Sequence, residues 1–130
     1  MARTVRARGE LPQRIAGPRV YLRRVESGDA STRYDVRRPG TKGAIGQVTL
    51  DLTGKSPVIE SLCINEGERG YGAGSETAGA LLRALIRRFP TVRAWAPPDR
   101  GLAVYFWVRM GFRPVMGEGP HGGLWFERAR

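Results

Sequence analysis

At residue 65 the apolar periodicity of this chain changes from two to about 3.6, and that change fixes the order in which sheet and helix are laid down. Before it, four segments alternate apolar and polar residues: 18–24 (PRVYLRR), 32–38 (TRYDVRR), 44–52 (AIGQVTLDL) and 57–64 (PVIESLCI). The turn formers SGDAS, Pro39-Gly40 and TGKS separate them, so the first half predicts an antiparallel meander opening on a hairpin. After NEGERGYGAGS, Ala78, Leu81, Leu82 and Leu85 recur at i, i+3, i+4 and i+7, the spacing of an amphipathic helix that Pro90 stops. Residues 91–96 (TVRAWA) read as a fifth strand. Asp99 caps a second helix running to about Met110, where Gly111 ends it. Residues 113–116 and 123–128 flank an EGPHGG turn and complete a sheet of about seven strands with two main helices, an α+β fold. Residues 1–17 mix Arg, Gly and Pro without periodicity and read as a basic flexible arm ahead of a single domain over 18–130.

Composition removes several chemistries. Cys63 is the only cysteine and His121 the only histidine, which excludes an intrachain disulfide and a zinc site of several Cys and His ligands, so no metal is expected. A Ser/His/Asp hydrolase is disfavoured too, because the lone imidazole sits in GEGPHGG and no GxSxG elbow exists. Neither a run of about 18 apolar residues nor a signal-type apolar stretch is found, so the expectation is a cytoplasmic protein without membrane contact. The net charge is +10, and residues 1–42 carry 11 Lys/Arg against 4 Asp/Glu. That asymmetry predicts an anionic partner, a polyanion or nucleic acid met through the basic N-terminal part. Twenty Arg against two Lys also reads as a coding bias, which leaves the partner open.

Gly67, Gly70, Gly72 and Gly74 fall between the apolar fourth strand and the first turn of the helix. Glycine allows a ligand to approach the main chain, and a helix start offers unpaired N–H groups and a positive dipole end, so a diphosphate fits there. Two better-known phosphate loops fail on spacing. GxGxxG would require glycine at Ser75 or Thr77, and a Walker A loop from Gly67 meets Ala73 and Gly74 where Lys and Ser/Thr are needed.

The segment LCINEGERGYGAGSETAGALLRAL resembles the acyl-CoA-binding segment of the GNAT acetyltransferases, whose Q/RxxGxG/A signature Arg69, Gly72 and Gly74 match. Downstream, AVYFWVRMGFRPV resembles the family's A..FY...GF segment at Ala103, Phe106, Gly111 and Phe112. The likeness covers roughly residues 44–116. It implies a mixed, mostly antiparallel sheet splayed between the fourth and fifth strands, with acetyl-CoA as cosubstrate. By the same likeness, the backbone of Arg69, Gly70, Tyr71, Gly72, Ala73, Gly74 and Ser75 takes the pyrophosphate. Leu62, Cys63 and Ile64 pair with pantetheine as an added strand would, and Phe106 packs near the thiol end.

Acyl transfer to an amine needs a base for the ammonium and a proton for the departing thiolate. Glu60 alternates with Leu62 and Ile64, which predicts that the three share a face of the strand, and several members of the family it resembles place a catalytic carboxylate on this strand. Cys63 falls on the opposite face and reads as a buried core thiol. The family's acid is a Tyr four residues before the GF pair; here that position is Trp107, whose indole is no acid at neutral pH, and the usual Asn seven residues earlier is Arg100. Tyr105 is the substitute on offer, and a catalytically weak or inactive CoA- or nucleic-acid-binding module is the alternative.

The family's two helices between its first strands have no room here, since seven residues, 25–31, separate the two segments. The acceptor side is therefore expected to be open and shallow, suited to a macromolecular amine. The competing expectation is a homo-oligomer whose second chain completes the pocket.

Overall fold

A computed structural model of the chain describes residues 11–28, 30–70, 72–97, 101–119 and 122–130. Eight strands, β1 (Arg14–Ala16), β2 (Tyr21–Ser27), β3 (Ser31–Arg37), β4 (Gly46–Asp51), β5 (Val58–Ile64), β6 (Thr91–Ala96), β7 (Arg113–Glu118) and β8 (Leu124–Ala129), form one sheet in the order β1-β2-β3-β4-β5-β6-β8-β7. Two helices, α1 (Ala73–Ile86) and α2 (Gly101–Arg109), lie before and after β6. Every neighbouring pair is antiparallel except β5 and β6, which the α1 crossover makes parallel. The sheet is mixed and mostly antiparallel, as the sequence leads one to expect.

The eighth strand is a correction to the boundary at residue 18. Residues 14–16 pair with 21–23 of β2, and Leu11 and Ile15 are buried, so the body begins by residue 11. Tyr34 Oη donates to the Pro12 carbonyl at 2.6 Å, and Arg24 Nη1 to the Leu11 carbonyl at 2.6 Å. A three-residue strand with one inward side chain leaves no alternation to read. Residues 1–10 of the expected arm lie outside the described residues, as do Asp99 and Arg100 ahead of α2, and His121.

Inward residues of the sheet, among them Leu22, Val36, Val48, Leu50, Ile59, Val92, Ala94 and Phe126, pack with Leu81, Leu82 and Leu85 of α1 and Trp107 of α2 in one core. Both helices thus cover the same face. A Schellman ending closes α2: Gly111, at φ +91°, donates to the Val108 carbonyl and Phe112 to that of Trp107, both at 3.0 Å. That ending tucks Phe112 under the sheet.

Side chains of the other parity, including Arg37, Gln47, Ser61, Cys63, Trp95 and Trp125, are half-buried or exposed, and no described helix covers them. Only residues 28–30 join β2 to β3, too few for a pair of helices, and among the described residues no helix lies over that face. Among the described residues no helix is long and apolar enough to cross a membrane.

Candidate active site

Strands β5 and β6 part almost as soon as they meet. Their register holds only at Val58 with Arg93 and Ile59 with Ala94, and residues 60–64 run on without β6. A β-bulge explains the divergence: Leu50 pairs with Ile59 but Thr49 pairs with Ser61, so Glu60 is an extra residue that bends β5. The indole N–H of Trp95 donates to the Glu60 carbonyl at 3.1 Å, satisfying the first acceptor beyond the ladder. The expected splay is therefore present, with Trp95 at its apex.

Beyond the bulge β5 keeps its pairing with β4 on one side only. Asn65 donates from its backbone to the Ile45 carbonyl at 2.8 Å, which by ladder alternation turns the N–H and C=O groups of Leu62 and Ile64 away from β4 and into the opening. Arg69 Nε occupies one of these, donating to the Ile64 carbonyl at 2.8 Å. The signature arginine is thus folded back on the strand end and sets the turn.

The turn itself is built for close approach. Glu66–Glu68 form a single 3-10 turn, Glu68 pairs with Arg38, and Gly70 and Gly72 take φ +90° and +77°, left-handed angles that favour glycine. A Cβ on Gly70 would meet nothing within 4 Å, so its surroundings are open. The first helical bond of α1 is Glu76 N–H to the Gly72 carbonyl, 3.0 Å, and no side chain caps the helix. The N–H groups of Ala73, Gly74 and Ser75 lie ahead of that bond and point outward with the positive end of the dipole. Gly74 sits between β5 and α2, where a Cβ would lie 3.9 Å from both Ile64 Cγ1 and Phe106 Cε1.

Two arginines that the sequence reading passed over bracket this turn. From the last turn of α2, Arg109 Nη2 donates to the Ser75 hydroxyl at 3.2 Å. On the other side Arg19 Nη2 lies 4.0 Å from where a Cβ on Gly72 would be, and its Nε bonds Glu76 Oε1 at 3.1 Å. Glu76 also accepts the backbone N–H groups of Arg19 and Val20. Partial burial pushes its carboxyl upward, but the hydrogen bonds from Arg19 and Val20 and the Arg19 charge outweigh that and hold it below the usual value. Arg19, Val20, Arg38, Ala73 and Glu76 enclose a cavity of about 230 Å³ beside the helix start. The donor set of unpaired amides and guanidinium groups suits a diphosphate.

The structure brings Ile64, Gly74 and Phe106 together at one mouth, with Arg69 and Ser75 at its rim, whereas the three catalytic candidates are dispersed. Tyr71 lies outside the described residues. Leu62 is half-buried, and Phe106 meets Trp107 edge to face at 5.0 Å. The bulge removes Glu60 from its expected alternation with Leu62 and Ile64: Ile59, not Glu60, is the buried partner of Leu50, and Glu60 is exposed. Tyr105 is 60% exposed on the face of α2 that carries Arg109, whose guanidinium lies 5.7 Å from its ring. Trp107 is a core ring, 6% exposed and packed edge to face on Phe112. Cys63 is exposed, not a core thiol, because it faces the side of the sheet that has no helices.

The residues that sequence reasoning missed were Trp95, Arg19, Glu76 and Arg109. Only Trp95 left a signal, an aromatic at the outward parity of a strand next to the splay. No group of three or more His, Cys, Asp or Glu that could hold a metal occurs among the described residues.

Comparison with known proteins supports the fold. No family model matches the chain. It is similar to the mycothiol acetyltransferase of Actinosynnema mirum, 38% identical over 101 residues that make up 76% of this chain and 33% of the relative. The chain thus spans about a third of the curated relative it matches. Among solved structures, a Chromobacterium violaceum protein assigned to the GNAT family of acetyltransferases superposes with a TM-score of 0.80 at 11% identity, over 93% of this chain and 88% of that one. An acetyltransferase from Agrobacterium tumefaciens gives 0.75 at 14% identity, covering 93% and 96%. The PaiA N-acetyltransferase of Thermoplasma acidophilum, solved in complex with coenzyme A, gives 0.60 at 11% identity, covering 78% and 62%.

Proposed function

We propose that this chain, which has the GNAT fold, is an acyl-CoA-dependent N-acyltransferase that moves an acetyl group to an amine. One observation carries the reading: the uncapped first turn of α1, reached through the left-handed Gly70 and Gly72, adjoins the stretch of β5 whose outward backbone groups lack a strand partner. A diphosphate on the amides of Ala73 to Ser75 and an amide-bearing arm along residues 62–64 would use both at once. That is the division of chemistry in coenzyme A. The acetyl donor is supported by the acetyltransferase relative at 38% identity.

In the reaction the amine lone pair attacks the thioester carbonyl, the carbonyl oxygen takes up negative charge, and collapse breaks the C–S bond. The amine loses a proton and the thiolate gains one. The outward N–H of Ile64 is the donor for the developing oxyanion, an interaction of a few kcal/mol. Glu60, at the bulge where the strands part, accepts the proton of the ammonium directly or through water. The uncovered sheet face suits a bulky acceptor carrying its amine on an accessible arm.

A second reading has an observation of its own. Trp107 fills the position of the family's acid as a core ring and Tyr105 points outward, a combination that also fits a CoA-binding module without turnover. Incubation with acetyl-CoA and candidate amines, following thiol release with Ellman's reagent, separates the two. Cys63 is exposed and would react with the reagent, so the assay belongs in a Cys63→Ser background. Acceptor-dependent thiol release supports the enzyme; stabilisation by acetyl-CoA with no release for any amine supports the module; absence of both removes the CoA reading.

A further inference from the structure

The C-terminal half of α1 and strand β1 enclose a cleft of about 210 Å³, away from the acyl-CoA turn. Arg14, Arg83, Arg87 and Arg88 line it, with Ala80 and Pro12 among the apolar walls and no acidic residue among the described lining. Glu76, at the opposite end, is the only acid of α1, so nothing on the helix offsets this charge. Arg83 and Arg87 stand one turn apart on the same face, a rise of about 6 Å, where like charges repel.

Capping of the helix end does not explain them. Arg88 Nη1 donates to the Ala84 carbonyl at 3.1 Å and Arg130 Nε to the Ile86 carbonyl at 2.7 Å, which already supplies cations to the last carbonyls. Among the described residues no carboxylate pairs with Arg83 or Arg87. The walls are fixed: Pro12 is held by the Tyr34 hydroxyl, Leu11 by Arg24, and Ile15 is buried. A preformed groove with one sign of charge focuses its field on an anion.

We propose that this cleft docks the phosphodiester backbone of a nucleic acid, without reading sequence. Among the described residues the lining contains guanidinium groups for phosphates and no aromatic ring for bases. A membrane surface fits less well, because Leu102, Val108, Met116 and Leu124, exposed apolar side chains, belong to α2 and the β7–β8 edge, and neither they nor the exposed Val25 of β2 line the cleft. The proposal stands independently of acyl transfer, since the cleft shares no residue with the turn.

The test uses the full chain, a labelled mixed-sequence oligonucleotide, fluorescence anisotropy and a salt titration. Alanine favours helix, so the double variant Arg83→Ala/Arg87→Ala should keep its melting temperature and acetyl-CoA affinity. It should bind the oligonucleotide at least about tenfold more weakly and lower the slope of log K against log salt by about two, one for each phosphate that no longer meets a guanidinium. The equal-charge control Lys55→Ala/Arg113→Ala should stay near wild type on both measures. Equal weakening in the two doubles, no oligonucleotide binding by the unaltered chain, or tighter binding to anionic-lipid vesicles than to the oligonucleotide would each overturn the assignment.

Discussion

The guanidinium of Arg109, in the last turn of α2, donates to the hydroxyl of Ser75 in the first turn of α1, joining the two helices across the mouth of the candidate site. Arg109 is exposed, lies over the Tyr105 ring and has no carboxylate partner among the described residues, so its charge adds to the positive end of α1 beside Ser75. Arg109→Ala should weaken acetyl-CoA binding about three- to tenfold, or roughly 0.7–1.4 kcal/mol, with the fold intact. Calorimetric titration decides it; an unaltered Kd would make the hydrogen bond a helix clasp only.

Gly72 is constrained from two directions. Its φ of +77° is one that a β-branched residue adopts only with strain, and a side chain there would stand in front of the α1 amides beside Arg19. Gly72→Val should abolish detectable acetyl-CoA binding. Gly67 has ordinary φ and open space around it, so Gly67→Ala should bind as the unaltered chain does. If both variants bound acetyl-CoA normally, the diphosphate would have to sit elsewhere.

Glu76 ties the Arg19–Val20 backbone to α1, and its carboxyl is held below the usual value. A group whose folded value is depressed stabilises the native state above its unfolded value, ordinarily about 4.5, and loses that contribution as pH falls through the folded value. Stability should therefore decline in acid below that point. Glu76→Gln should melt lower at neutral pH and show a flatter decline below pH 4.5, measured by thermal unfolding across pH. Parallel curves for the two proteins would remove Glu76 from the acid response.

Much of this was legible from residue types, and the rest was hidden by geometry that single residues do not announce. The meander and the turn follow from alternation, one change of period and clustered glycines, whereas the mixed sheet followed from the family resemblance. Glu60 was misjudged because a bulge shifts parity by one residue without a glycine to mark it. Cys63 appeared buried because alternation shows that a strand has two faces but not which one receives helices. Arg19 and Arg109 were invisible because their partners, Glu76 and Ser75, stand 57 and 34 residues away along the chain.

Trp95 holds the apex of the splay through a hydrogen bond to the Glu60 carbonyl. Trp95→Phe retains most of the ring and removes the donor, leaving that carbonyl to water. The expected cost is about 1 kcal/mol, read as a lower urea midpoint at unchanged slope. A midpoint equal to wild type would mean that water replaces the indole at no cost.

Proton transfer gives the last prediction. Glu60 stands at the bulge beside the opening, whereas Tyr105 lies 60% exposed on α2 with the Arg109 guanidinium over its ring, so the two should respond differently to conservative replacement. Glu60→Gln keeps the shape of the side chain and removes the base, and should lower kcat at least about tenfold, within the range usual for a general base, while acetyl-CoA affinity stays the same. Raising the pH should recover part of that deficit, because a larger fraction of the amine is then already neutral. Tyr105→Phe should leave kcat within about twofold. Were Tyr105 the acid for the thiolate, its replacement would instead depress kcat at least about tenfold at unchanged acetyl-CoA affinity, and that loss beside a Glu60→Gln rate near wild type would reverse the assignment.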